Sequence, residues 1–181
     1  MTAFTPLPLL LDKYQTTYLE ESGFINQFKK LLLHPRAYHR DHLPGHITGS
    51  TWVVNGQRSK VVLLHHVNLK RWLQPGGHAD GDEHVLRVAL RELEEETGLR
   101  SVKLIFPGIF DLDIHPIPAR KSFPDHFHYD VRFFLEADDQ EQIIVSEESL
   151  DVKWIPLDEV NSITDNISIL RMVEKTIGVW G

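Results

Sequence analysis

The chain contains no cysteine among its 181 residues, which removes disulfides, thiolate metal sites and cysteine nucleophiles and leaves packing alone to hold the fold. It is also short of positive charge. Nineteen Lys and Arg stand against 26 Asp and Glu, a net charge of -7, whereas a grip on nucleic acid phosphates needs clustered cations. A nucleic acid polymer is therefore not an expected partner. A small anionic ligand still fits if a cation stands between its phosphates and the acidic side chains. No run approaches the roughly 18 apolar residues of a membrane span, so no membrane partner is expected either. Residues 1–11 have no basic start and only a short leucine run before Asp12, unlike a secretory signal, and a cytoplasmic protein is the expectation.

With 41% hydrophobic and 25% charged residues, the chain has the balance of a globular protein with one main core. Residues 9–33 carry helical spacing in two pieces, Leu10, Tyr14 and Tyr18, then Phe24, Ile25, Phe28, Leu31 and Leu32, with Ser22 placed to cap the second. His34-Pro35 ends this helical hairpin. The connector that follows holds His34, His39, His42 and His46, but their irregular spacing among prolines is a poor zinc-ligand pattern. Strand-type runs over 47–54 and 61–67 flank Asn55-Gly56 and predict a β-hairpin. After Pro75-Gly76-Gly77 the spacing turns helical over 83–97 and stops at Gly98. Strands are predicted over 101–115, 126–137 and 152–155, and a last helix near 165–177. This order predicts an α+β domain with a mixed sheet between helices over residues 46–181, preceded by a helical extension and connector over 1–45.

On the helix over 83–97, Glu92, Glu95 and Glu96 share one face, because i, i+3 and i+4 are neighbours. Leu86, Ala89, Leu90, Leu93 and Thr97 fall on another and predict the packed side. Like charges at this spacing cost roughly 0.2–0.5 kcal/mol per pair in an isolated helix. Arg91 can neutralise only part of the cluster, and a hard cation with oxygen ligands would offset the remainder. A solvated helix face is the plain alternative for such a charge run. The preceding Gly76-Gly77 favours the first reading, since it frees backbone carbonyls for a metal or amides for a phosphate.

Gly77, five residues, Glu83, seven residues, then Arg91-Glu92-Leu93-Glu94-Glu95-Glu96-Thr97-Gly98-Leu99 resembles the Nudix box at every specified position over 23 residues. The stretch from Glu147-Glu148 to Asp158-Glu159 is similar to the closing region of that family. The resemblance implies an α-β-α sandwich with a mixed sheet, here with an N-terminal helical extension. It also implies a hydrolase that cleaves the phosphoanhydride bond of a nucleoside diphosphate linked to another moiety. By the same resemblance Glu92, Glu95, Glu96 and the Gly76 carbonyl match metal-ligand positions, and Glu83 and Arg91 match supporting ones. The implied cofactor is Mg²⁺, with Mn²⁺ as a substitute. The proton acceptor is Glu95 or Glu96 on the helix, or Glu147 or Glu148 on the later loop.

ADP-ribose or a nucleotide sugar is the leading substrate expectation, because Pro116 lies after the box much as in ADP-ribose-cleaving members. Nucleoside triphosphates come next. The related isomerases of isopentenyl diphosphate rely on a cysteine that this chain lacks. A non-catalytic nucleotide sensor is the other alternative, disfavoured by the intact box. A homodimer through residues 1–33 is expected from family habit and the apolar side of those helices.

Two further patterns stay open. Asp111, Asp113 and His115 alternate, as do His126, His128 and Asp130, so each trio lines one side of a strand, facing either a substrate or water. Trp72, just before the glycine turn, is the best base-stacking candidate among four tryptophans whose usual role is packing.

Overall fold

The computed structural model describes residues 4–120, 123–147 and 149–180. Two helices, α1 (Leu7–Lys13) and α2 (Leu19–Leu31), lead into strands β1 (Gly45–Asn55), β2 (Lys60–His66), β3 (Trp72–Leu73) and β4 (Gly76–His78). Helix α3 (Val85–Thr97) follows, then β5 (Val102–Leu104), β6 (Asp111–Ile117), β7 (His126–Ala137) and β8 (Ser149–Pro156). A 3-10 turn (Leu157–Glu159), α4 (Val160–Ile163) and α5 (Ile167–Trp180) complete the order. The strands form one sheet with the order β3-β2-β1-β7-β5, in which β4 pairs β1, β6 pairs β7 and β8 pairs β2. This is the α+β fold the element order predicts.

The residues group into two units, Met1–Ser50 with Gly77–Ala89 and Gly108–Phe133, and Thr51–Gly76 with Leu90–Pro107 and Phe134–Gly181. In the first, Leu7, Leu11 and Phe28 are buried, and the Phe28 ring meets Tyr129 edge-on with centroids 5.2 Å apart. Ser22 does not cap α2. The helix starts three residues earlier, and the Ser22 hydroxyl donates back to the Tyr18 carbonyl instead. Glu21 is the unexpected residue here, a fully buried carboxylate on an otherwise amphipathic helix. It accepts from the Tyr14 hydroxyl at 2.5 Å, from the Thr16 hydroxyl and from the Leu112 amide of β6 at 3.0 Å. A buried carboxylate is tolerable only with such partners.

The second unit has a core of Val53, Val62, Leu64, Leu93, Leu99, Leu135, Ala137 and Val152. Antiparallel β2 is bordered along its length by β8, from Lys60↔Pro156 to His65↔Asp151. Trp52 is fully buried, and its indole N–H donates to the Thr176 hydroxyl at 2.9 Å. The hairpin predicted at Asn55-Gly56 is present, with the Asn55 carboxamide oxygen accepting from the amides of Ser59 and Lys60. The run predicted over 101–115 is two strands, because Phe106-Pro107-Gly108 interrupts it between β5 and β6. Among the described residues no helix is long and apolar enough to cross a membrane.

Candidate functional site

Of the packed side predicted for helix α3, Ala89, Leu93 and Thr97 are buried and Leu86 and Leu90 half-buried, while Val85 and Val88, outside that prediction, are buried too. Gly98 ends it at φ +74°, with its amide bonded to the Glu94 carbonyl at 2.9 Å. The carboxylates run along the adjoining strip, where Glu96 falls next to Ala89 on the helix surface. Glu96 is 8% exposed and accepts from the Gly76 amide at 2.8 Å, so the start of β4 is fastened to the helix. Pro75, one residue earlier, is held from the other direction by the Thr51 amide at 2.9 Å. Arg91 donates to Glu92 at 2.6 Å and lies 3.9 Å from Glu95, whose side chain is 61% exposed. Five of the predicted site residues, Gly76, Arg91, Glu92, Glu95 and Glu96, are thus brought together within one unit.

Glu147 lies exposed in the turn before β8, and Glu148 lies outside the described residues. Glu83 sits just ahead of α3 rather than within it. Burial first, and the Glu83 charge second, push the Tyr38 hydroxyl up to about 12. Trp72 is stacked on the His65 ring at 5.1 Å, with the Lys153 ammonium 4.7 Å from its ring centre.

Of the two alternating trios, Asp111, Asp113, His126 and Asp130 are buried, whereas His115 and His128 are partly exposed. Register pairs Asp111↔Arg132, Asp113↔Asp130 and His115↔His128 across β6 and β7. Arg132, 2% exposed, donates to Asp130 at 2.8 Å, Asp111 at 3.0 Å and Asp113 at 3.1 Å. The Thr48 and Ser50 hydroxyls donate to the two oxygens of Asp130 at 2.9 and 2.7 Å. Burial pushes the Arg132 pKa down, but Asp113, Asp130 and Asp111 together push it further up, and the guanidinium stays charged.

Towards the far end of the same strands the chemistry changes to imidazole. The ring centroids of His46, His78, His126 and His128 lie 4.9 to 5.2 Å apart in five pairings. Burial, reinforced by neighbouring cations and imidazoles, lowers His46 and His78 to about 4 and His128 to about 2, so all three are neutral at neutral pH. Among the described residues, His46, His78 and His128 are the group of three whose ligand atoms fall within 4.8 Å of one another. Spacing rules miss this group, because its members come from the connector, an unspecified position of the box and an alternating strand. The only sequence sign was the density of histidine in those three segments.

Glu92, Glu95 and Glu96 on one helix, with Glu96 fastened to the first residue of β4, supply oxygen atoms of the type that could hold a hard cation. The chain belongs to the NUDIX domain family, whose model matches residues 26–175. It is 33% identical over 88 residues to a Lactococcus lactis protein named "Probable DHNTP pyrophosphohydrolase", covering 47% of this chain and 51% of that one. It is also 33% identical over 97 residues to the asymmetrical bis(5'-nucleosyl)-tetraphosphatase of Rattus norvegicus, covering 53% and 59%. The chain thus spans between half and two thirds of the length of these two curated relatives. Among solved structures, a C. elegans Ap4A hydrolase binary complex superposes with a TM-score of 0.60 at 16% identity, over 74% of this chain and 96% of that one, a likeness of fold.

Proposed function

We propose that the chain is a metal-dependent pyrophosphohydrolase that cleaves the phosphoanhydride bond of a nucleoside diphosphate linked to another moiety. The observation that carries this reading is the bond from the Gly76 amide to Glu96, which puts the Gly76 backbone beside the carboxylate face of α3. Carboxylate and carbonyl oxygens are the donor set of Mg²⁺, and Gly76, Glu92, Glu95 and Glu96 supply them. When bound, Mg²⁺, or Mn²⁺ in its place, supplies positive charge against the phosphoryl oxygens and makes water more acidic. Glu95 is the first choice for taking the proton of the attacking water, because Glu96 is already tied to a backbone amide; Glu147 and Glu148 rank second. Arg91 orients Glu92 and Glu95. Water oxygen bonds to phosphorus, the bridging P–O bond breaks, and the leaving phosphate departs with its electron pair.

ADP-ribose or a nucleotide sugar remains the leading substrate on the position of Pro116. The tetraphosphatase and DHNTP relatives add dinucleoside polyphosphates and pteridine or nucleoside triphosphates to the candidates. We also assign residues 46–181 to the hydrolase domain, place the chain in the cytoplasm, and infer a homodimer through residues 1–33, where Leu9, Leu19 and Leu33 stay exposed. A truncation beginning at Arg36 that matched the full chain in light scattering would refute the dimer.

The test is phosphate release from a panel of these compounds with Mg²⁺ or Mn²⁺, with Glu95→Gln as control. Strictly metal-dependent cleavage that the control lacks supports the reading. Binding without cleavage would transfer the chain to the nucleotide sensors.

A further inference from the structure

Three imidazoles from three separate segments converge in the first unit, on the second residue of β1, the last of β4 and the third of β7. Two backbone bonds set their approach. The Phe127 amide donates to the Pro44 carbonyl at 2.8 Å, which carries His46 towards β7, and the Ala79 amide donates to Ile47 at 3.4 Å, which carries it towards His78. Gly45 permits the first, since a Cβ there would lie 2.7 Å from the Phe127 carbonyl oxygen.

Hydrogen bonding fixes which nitrogens carry protons. His46 Nδ1 faces the His42 carbonyl at 3.4 Å and so holds the proton, which leaves Nε2 as a bare lone pair. That Nε2 is buried, in a residue 1% exposed, and has no hydrogen-bond partner. His126 Nδ1 faces the Pro124 carbonyl at 2.9 Å and holds its proton too. Its Nε2 therefore accepts from His128 Nε2 at 3.3 Å, and the remaining lone pair of His128 is on Nδ1. An unmet buried nitrogen costs about 1–3 kcal/mol. Packing alone does not account for that, because an apolar ring would fill the same space without the penalty.

We propose that His46, His78 and His128 together bind one divalent ion of the zinc class. Imidazole suits Zn²⁺, Co²⁺, Ni²⁺ and Cu²⁺ rather than Mg²⁺, which takes oxygen. Zinc–nitrogen bonds of about 2.0–2.1 Å in a tetrahedron hold the nitrogens roughly 3.3 Å apart. One ring nitrogen from each of the three histidines already lies within 4.8 Å of the others, a separation that side-chain rotation can close. The His42 carbonyl and the His126 ring are the orienting partners that metal-binding imidazoles ordinarily have. Three protein ligands leave a fourth position for water or an anion. This ion is additional to the Mg²⁺ of the carboxylate helix and does not depend on the hydrolase reading.

The experiment is zinc titration of the metal-stripped full-length chain in excess Mg²⁺, read by calorimetry, together with Co²⁺ absorption and histidine ring NMR. One equivalent of tight Zn²⁺ uptake is expected, with shifts of the His46, His78 and His128 ring signals and a tetrahedral Co²⁺ spectrum. His46→Gln, His78→Gln and His128→Gln each weaken uptake by roughly 100-fold, at or beyond the about 10–100-fold loss that follows removal of an outer partner. Glu95→Gln and Glu96→Gln leave it unchanged. Should the histidine variants fail to fold, ring NMR of the unaltered chain decides. Absence of stoichiometric uptake, unmoved histidine signals, or uptake lost in the glutamate variants instead would overturn the proposal.

Discussion

Two groups of three carboxylates, each with one arginine, occupy this chain and behave differently. Around Arg132, Asp111, Asp113 and Asp130 are buried and every guanidinium nitrogen is bonded to one of them. Around Arg91, Glu95 is largely in water and its nearest guanidinium contact is 3.9 Å. Glu96 is nearly as buried as Asp113, so the two groups differ chiefly at Glu95, the one carboxylate of the six that stands largely in water.

The largest expected effect lies on the open side. Glu95→Gln should lower kcat on the cleaved substrate by about 10²–10⁴-fold, the worth of a positioned acid–base group, with the melting temperature nearly unchanged. A variant that turns over normally would remove Glu95 from the site. Arg132→Met should do the reverse. Leaving three buried carboxylates without their cation costs about 3–5 kcal/mol, measurable as a lower midpoint in urea. Should Arg132→Met unfold at the normal midpoint, the contrast between the two groups would collapse. Leu93→Ala, beneath the open group, should cost about 2–5 kcal/mol by leaving a cavity in the second core, which tests whether that face of α3 is structural while the other is not. The smallest effect sharpens the comparison most. Arg91→Met should change stability by only about 0–1 kcal/mol, because the arginine itself is partly exposed and its contact with Glu95 is in water, while still impairing turnover.

Helix α3 was legible in the sequence because its signal is local: Glu92, Glu95 and Glu96 sit at i, i+3 and i+4, and Gly98 stops the helix within the same window. The alternating trios were legible as faces but not as destinations. Asp113 and Asp130 read as polar, and only register across β6 and β7 shows that Arg132 sits between them and turns the polar face inward. His46, His78 and His128 were further out of reach, since their meeting depends on Pro44 finding Phe127 and Ile47 finding Ala79. The two- and three-residue strands β3 and β4 carry too few residues for any period to show. Nothing in α2 itself announces that Glu21 is buried or that it accepts from the Leu112 amide.

That buried carboxylate has a consequence for how the chain would come apart. A protease cutting within the connector between α2 and β1 severs the covalent link to the first two helices. Glu21 still holds the Leu112 amide and the Tyr14 hydroxyl, and Leu11 and Phe28 stay packed. The nicked protein should therefore travel as one particle on a sizing column and separate into two only in denaturant, with the N-terminal segment behaving as a bound ligand of its own sheet.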